Sequence, residues 1–246
     1  MKEDTKLAQL TTLLFFCCGL SINSYADTKN SQSGFLDFNV YPYMSDVEND
    51  NVVTINIASK LKGRFSYFSL TNFGNENNAN ELEDTTSFYS EQNIRWQVSE
   101  GSPLDLTLQM NFRSGQHNDR HRLGVRWRLN NTRYLESFFK SINLSYSINF
   151  HAIQFDRESA DVWQLEHVYR MTFPYLSERL YLAGFADHTF NQDLSNDFPS
   201  NPIVSETQLG YRISDNFYAI AEYRVNEYRL SDNSNFALGF EYKMQW

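Results

Sequence analysis

The sequence predicts an all-β protein: a transmembrane, antiparallel, up-and-down β-barrel of about twelve strands. Three observations point there. Apolar and polar residues alternate with a period of two in segment after segment. The last such segment, FALGFEYKMQW (236–246), ends on an aromatic residue. The first residues have the pattern of an export signal.

The N-terminal segment carries Lys2 and Lys6, diluted by Glu3 and Asp4, ahead of the mainly apolar run LAQLTTLLFFCCGL (7–20). Ser24-Tyr25-Ala26 matches the small-x-small cleavage rule, so residues 1–26 are expected to be a signal peptide and 27–246 the barrel. The apolar run is too short to span a bilayer as a helix. Phe16 precedes Cys17, against the small residue that a lipoprotein signal requires. Both cysteines, Cys17 and Cys18, lie in the expected signal, so the mature chain would carry no disulfide, thiolate metal site or cysteine nucleophile.

Composition sets the bounds. The 246 residues carry a formal net charge of −9 and 16% aromatic side chains, with a mean hydropathy of −0.54. No stretch of the mature chain has 18 consecutive apolar residues, which excludes a helical membrane protein. Aromatic and β-branched residues are too frequent for disorder. The acidic balance argues against nucleic acid as a partner. A membrane barrel is polar on average because every second strand residue faces water.

Taken in chain order, the expected strands are 35–44, 51–59, 64–73, 87–98, 104–112, 120–129, 142–150, 162–173, 179–190, 204–213, 217–230 and 236–246. The clearest are LDLTLQMNF (104–112), RHRLGVRWRL (120–129) and INLSYSINF (142–150), each with five outward residues on one face, apolar except for His121. About ten residues at roughly 3.3 Å each, tilted near 40°, rise about 25 Å, the height of the outer-membrane apolar band. The expected periplasmic turns are 60–63, 99–103, 131–141, 174–178 and 214–216, with a short helical turn around Tyr134–Lys140. The expected external loops include the Asn/Asp-rich segments 74–86 and 191–202. Long and short connections alternate in the phase that an even-stranded barrel needs. A soluble barrel or sandwich would put the apolar faces inside, where the bulky charges on the polar faces argue against it. The expected location is therefore the bacterial outer membrane, with its lipid bilayer as surroundings.

Candidate functional residues lie on the polar faces. Tyr89, Glu91 and Arg95 share one strand with Asn93; Arg113, Arg122, Arg126 and Arg128 follow, with Arg120. Further on come Glu166 with Arg170, Glu206 with Arg212, Glu222 with Arg224, and Glu241 with Lys243. Guanidiniums and carboxylates facing one another across a lumen form an ion-pair lattice that either shapes an aqueous pore or cross-links a plugged interior. Twelve strands about 4.8 Å apart give a backbone radius near 12 Å and a passage on the order of 10 Å or less. That size suits a small-molecule solute, one at a time.

From about Phe65 to Trp246 the chain resembles the Tsx-like nucleoside-specific channel-forming proteins, twelve-stranded monomeric outer-membrane barrels. The resemblance lies in the order of Tyr89, Glu91 and Arg95, then HRLGVRWRL (121–129), INLSYSINF (142–150), VWQLEHVYRMTFP (162–174) and LYLAGFADHTFNQDL (180–194). It implies diffusion of nucleosides, with Tyr89, Phe185, His188 and Tyr218 in aromatic roles and Glu91, Arg95 and Arg126 as polar contacts. It also implies a monomer. The chain departs from that family in shorter loops and in its dense arginine strand. The run from Arg120 to Arg128 resembles the basic lumen of the oligogalacturonate-specific porins, which implies acidic sugars as solutes.

An enzyme is the competing class. Outer-membrane lipid hydrolases pair a His with a Ser on one strand face, yet none of His117, His121, His151, His167 and His188 is followed two positions on by Ser. His117, Asp119 and His121 suggest either a metal site or, more simply, a solvated loop. With no phosphate loop, zinc-ligand cluster or triad, no cofactor or catalytic residue is expected. A structural or adhesive barrel that uses its loops is a third class.

Overall fold

The computed structural model describes residues 33–45, 51–75, 85–114, 119–155 and 161–246. The expected signal peptide with Cys17 and Cys18, most of the loop 74–86, and His117 lie outside the described residues.

Twelve strands form one closed barrel in which each strand pairs antiparallel with its chain neighbours. They are β1 (Gly34–Met44), β2 (Asn51–Lys60), β3 (Phe65–Asn75), β4 (Thr85–Gln97), β5 (Leu104–Arg113) and β6 (Arg120–Arg128). Then come β7 (Leu144–Gln154), β8 (Trp163–Phe173), β9 (Ser177–Phe190), β10 (Ile203–Arg212), β11 (Phe217–Asn226) and β12 (Ser234–Gln245). One short helix, α1 (Glu136–Ser141), lies between β6 and β7, where Phe139 is buried and stacks on Tyr146. No helix among the described residues is long and apolar enough to cross a membrane. The strands do the crossing.

Closure is made by β1 against β12, from Phe35 opposite Gln245 to Met44 opposite Ala237. Beyond the last pair, Gly34 and Trp246 exchange two backbone hydrogen bonds of 3.0 and 3.1 Å. The beginning of β1 and the end of β12 therefore share one rim, together with the turns β2–β3, β4–β5, β6–β7, β8–β9 and β10–β11. By the outer-membrane rule this is the periplasmic rim. Tight turns here use left-handed backbone, with Gly63 and Gly101 both at φ 73°.

The sidedness decides the environment. Among the described residues, seven hydrophobic side chains are buried against twenty-four polar or charged ones. A soluble barrel has the reverse distribution. Large apolar side chains stand outward in a belt that includes Leu104, Leu106, Leu123, Val125, Leu209, Leu238 and Phe240. Aromatic side chains mark its edges, among them Phe65, Phe88, Trp127, Tyr211, Phe217, Tyr223, Phe236 and Tyr242. The protein is a transmembrane barrel of the bacterial outer-membrane type, apolar outside and polar within.

Two strands end four residues away from the sequence reading, each for a local reason, while the other boundaries shift by two residues or fewer. The strand expected at 142–150 runs instead from Leu144 to Gln154. Asn143 takes φ 53° and bonds back to Lys140 O at 3.2 Å, so α1 keeps the first two residues. Past Phe150 a bulge slips the register between Leu123/Gly124 and β7, which breaks the alternation without ending the strand. The strand expected at 217–230 ends at Asn226, where the Asn226 amide donates to Asn233 O (2.7 Å) and the chain turns back.

Candidate functional site

The alternation turns one side chain in two toward the interior, and two chemically different walls result. The first is built by β4, β5 and β6 with the adjoining β7 and β8. On β4 the Tyr89 hydroxyl donates to Glu91 at 3.1 Å and Asn93 Nδ2 donates to Glu91 at 2.6 Å. Arg95 lies 5.5 Å over the Phe68 ring, and Arg113 lies 5.2 Å over Tyr89. Asp105 accepts from Arg126 Nε at 2.7 Å and also pairs with Arg128 at 3.2 Å. One carboxylate thus holds two neighbouring guanidiniums of β6 apart and in place.

Arg122 is bound by amides rather than carboxylates. Its Nε donates to Gln154 Oε1 at 2.8 Å, and its Nη1 donates to Gln109 Oε1 at 3.0 Å and to Gln164 Oε1. Behind it Asn149 donates to Glu166 at 2.6 Å, and His151 Nε2 lies 3.4 Å from both Glu166 and Gln109. Gln109 and His151 are fully buried. Gly124 allows this density: a Cβ there would collide with Phe150 O, so β7 packs against β6 at the bulge only because the side chain is missing.

The second wall runs from β9 through β12 to β1 and is acidic. Glu222 accepts from the Tyr41 hydroxyl at 2.7 Å and from Arg224 Nε at 2.6 Å. Arg224 also lies 4.2 Å over the Tyr41 ring and donates to Asn51 O at 2.8 Å. Lys243 bridges Asp37 at 3.1 Å and Glu241 at 3.3 Å. Tyr181 reaches three strands along the wall to donate to Glu241, while it accepts from Gln208 Nε2 at 2.5 Å. It lies flat because Gly210 leaves room: a Cβ there would collide with the Tyr181 ring. Arg170 covers the other side of that ring at 4.0 Å.

Between the walls is a cavity of about 1310 Å³. It is lined at the periplasmic rim by Gly34, Lys60 and Trp246, and at the opposite rim by Arg120, Asn226, Tyr228 and Asn233. One continuous space therefore reaches both ends of the barrel. Its volume exceeds the range of about 300–1,000 Å³ usual for small-ligand pockets. Among the described residues ten cationic and eight acidic side chains line it, with most arginines on one wall and most carboxylates on the other. Arg95, Arg113, Arg120, Arg122 and Arg126 stand on the β4–β6 wall, whereas Asp187, Glu206, Glu222, Glu241 and Asp37 stand on the β9–β1 wall.

Of the residues singled out in the sequence, Tyr89, Glu91, Arg95, Arg113, Arg122, Arg126, Glu166, Arg170, Glu222 and Arg224 all border this cavity. Arg128 points inward but is held at the β4–β5 turn, where its Nη2 donates to Ser102 O at 2.6 Å. Phe185 borders the cavity, and Tyr218 packs edge-on against Tyr181. His188 has the opposite parity. It stands beside outward-facing Phe190 with Nε2 3.1 Å from Asn201 O, which removes it from the lumenal aromatic set. His121 is also outward, edge-on to Phe112, and Asp119 accepts from the Arg113 amide at 3.3 Å. Among the cavity-lining residues not singled out in the sequence are Tyr41, Tyr181 and Asp187. Alternation carried through from Asp37 and Asn39 reaches Tyr41, and carried back from Thr189 it reaches Asp187 and Tyr181.

No family model matches the chain, and no curated protein matches its sequence. Solved outer-membrane channels are similar in structure. The KdgM porin shares 14% identity over 85% of this chain and 98% of its own, with a TM-score of 0.47. The NanC porin shares 10% over 87% of this chain and 100% of its own, with a TM-score of 0.48. An outer membrane channel from Pseudomonas putida F1 shares 9% over 87% and 95%, with a TM-score of 0.42. The assignment as an outer-membrane-type barrel rests on the strand pairing and sidedness described above. The Tsx-like resemblance remains a reading of residue order.

Proposed function

We propose that the protein is a passive channel for small polar solutes. The carrying observation is the cavity, lined by many charged and amide side chains, that borders residues at both rims. A solute inside exchanges hydration for Asn, Gln and Arg donors on one side and carboxylates on the other. Acidic sugars are the favoured solute class. Arg113, Arg120, Arg122, Arg95 and Arg126 follow one another down the β4–β6 wall, so a carboxylate leaving one guanidinium meets the next.

Nucleosides are the second reading, supported by Phe185 at the cavity surface. Tyr89, Tyr41 and Tyr181 serve a base less well, because guanidiniums already occupy a face of each ring. Single-channel recording in planar bilayers tests both. The purified protein is expected to show small conductance steps that uronic acids block at lower concentration than nucleosides do. Nucleosides blocking first would select the second reading. A silent protein would overturn the channel, and lipid hydrolysis by the same preparation would replace it with an enzyme.

A further inference from the structure

Near the periplasmic end of the lumen three neighbouring inward side chains are apolar: Phe35 on β1, Ala58 on β2 and Phe68 on β3. The register sets them abreast, with Phe35 opposite Ala58 and Ala58 opposite Phe68. The two phenylalanines therefore stand two strand spacings apart, about 9.6 Å at the backbone. Ala58 fills only the floor between them. All three border the cavity and are half-buried.

A cation backs each ring. Lys243 on β12 lies 4.2 Å over Phe35, and Arg95 on β4 lies 5.5 Å over Phe68. The strand order is β12, β1, β2, β3, β4, so both cations approach from the strands beyond the rings, and the space above Ala58 is left to the lumen. The two cations differ. Lys243 is held between Asp37 at 3.1 Å and Glu241 at 3.3 Å. Arg95 is buried, yet its Nε has no hydrogen-bond partner among the described residues. Glu91, Asp105 and Glu166 act on it only through space. One step up β2 from the floor, Asn56 donates to Asp37 at 2.8 Å, and its own amide oxygen has no partner among the described residues.

This slot asks for a solute with three properties: a ring with an apolar face, an anionic group and a hydroxyl. The electron-rich face of an aromatic ring attracts partly positive C–H edges, which a pyranose presents on one side. A guanidinium without a partner takes a carboxylate. We infer that Phe35, Ala58 and Phe68 form a binding station for one uronic acid ring, with its C–H face on Phe68, its carboxylate on Arg95 and a hydroxyl donated to Asn56. The inference rests on the acidic-sugar reading and adds to it a place where the solute pauses. A row of arginines alone passes any small anion. The slot separates a ring-bearing anion from the rest, and the small side chain of Ala58 sets its width.

The test uses the full chain in planar bilayers, with glucuronate as the probe. Glucuronate should block at lower concentration than either acetate, which has no ring, or methyl glucoside, which has no carboxylate. Ala58→Leu fills the floor and Phe68→Leu removes the aromatic face; each should raise the blocking concentration about tenfold. Arg95→Gln should reduce glucuronate to the level of methyl glucoside. Ala221→Leu, outward on β11, should leave block unchanged, and heat-dependent gel mobility reports that each variant is folded. Unaltered block in folded Ala58→Leu and Phe68→Leu channels would overturn the station and leave the acidic-sugar channel standing. Equal block by acetate and glucuronate would do the same. Failure of glucuronate to block the unsubstituted channel would overturn both.

Discussion

The β4–β6 wall and the β9–β1 wall line the same cavity, yet they are held together differently. On the first, guanidiniums are fixed mostly by amides and one shared carboxylate: Arg122 by three glutamines, Arg126 and Arg128 by Asp105. On the second, carboxylates are fixed by tyrosine hydroxyls and two cations: Glu222 by Tyr41 and Arg224, Glu241 by Tyr181 and Lys243. Neither wall is neutralised by the other. The ion pairs named above each stay within one wall, and the unbalanced charge of each wall is left to act on whatever lies between.

The largest test of this comparison is to remove the carboxylate that organises the basic wall. Asp105→Ala leaves Arg126 and Arg128 adjacent and unpaired, and is expected to lower stability by about 3–5 kcal/mol, read from urea unfolding in lipid bilayers. Equal stability would show that water, not Asp105, accommodates the guanidiniums. On the acidic wall, Gly210→Ala drives a methyl group into the Tyr181 ring and should cost about 1–3 kcal/mol in the same assay. The companion Tyr181→Ala should relieve that penalty and raise single-channel conductance. Tyr41→Phe removes one donor from Glu222 and should cost about 1.5 kcal/mol, since Arg224 remains. The smallest effect concerns the field alone. Arg120→Ala removes one positive charge, worth about 0.8 kcal/mol at roughly 5 Å in water, so the preference for anions should fall about fourfold. That change, read from reversal potentials, should fade at 1 M salt, where the screening length is about 3 Å.

The fold was legible because alternation is a local signal that every strand repeats. LDLTLQMNF and RHRLGVRWRL carry their sidedness in their own residues, so β5 and β6 needed no tertiary information. Legibility failed where alternation is interrupted. The bulge after Phe150 hid the end of β7, and Pro42, at the bulge between Val40 and Tyr43, masked Tyr41. The lumenal charges could be read one by one from parity. Their separation into two walls could not, because it depends on which strands stand opposite one another after closure. His188 shows the reverse error: an aromatic role was assigned from resemblance although its parity with Phe190 already placed it outside.

The closing pair has a consequence for how the barrel comes into being. Eleven of the twelve strand pairings join chain neighbours and form within short hairpins. The twelfth joins β1 to β12, and Lys243 meets Asp37 across a separation of 206 residues. Until that seam forms, the sheet has two raw edges, each with unpaired amides and carbonyls that hydrocarbon does not solvate. The chain-entropy cost of the seam falls in a single late step rather than being spread over the hairpins. Assembly should therefore be all or nothing with respect to β12, and an incomplete chain should remain open, edge-exposed and prone to pair with a neighbour.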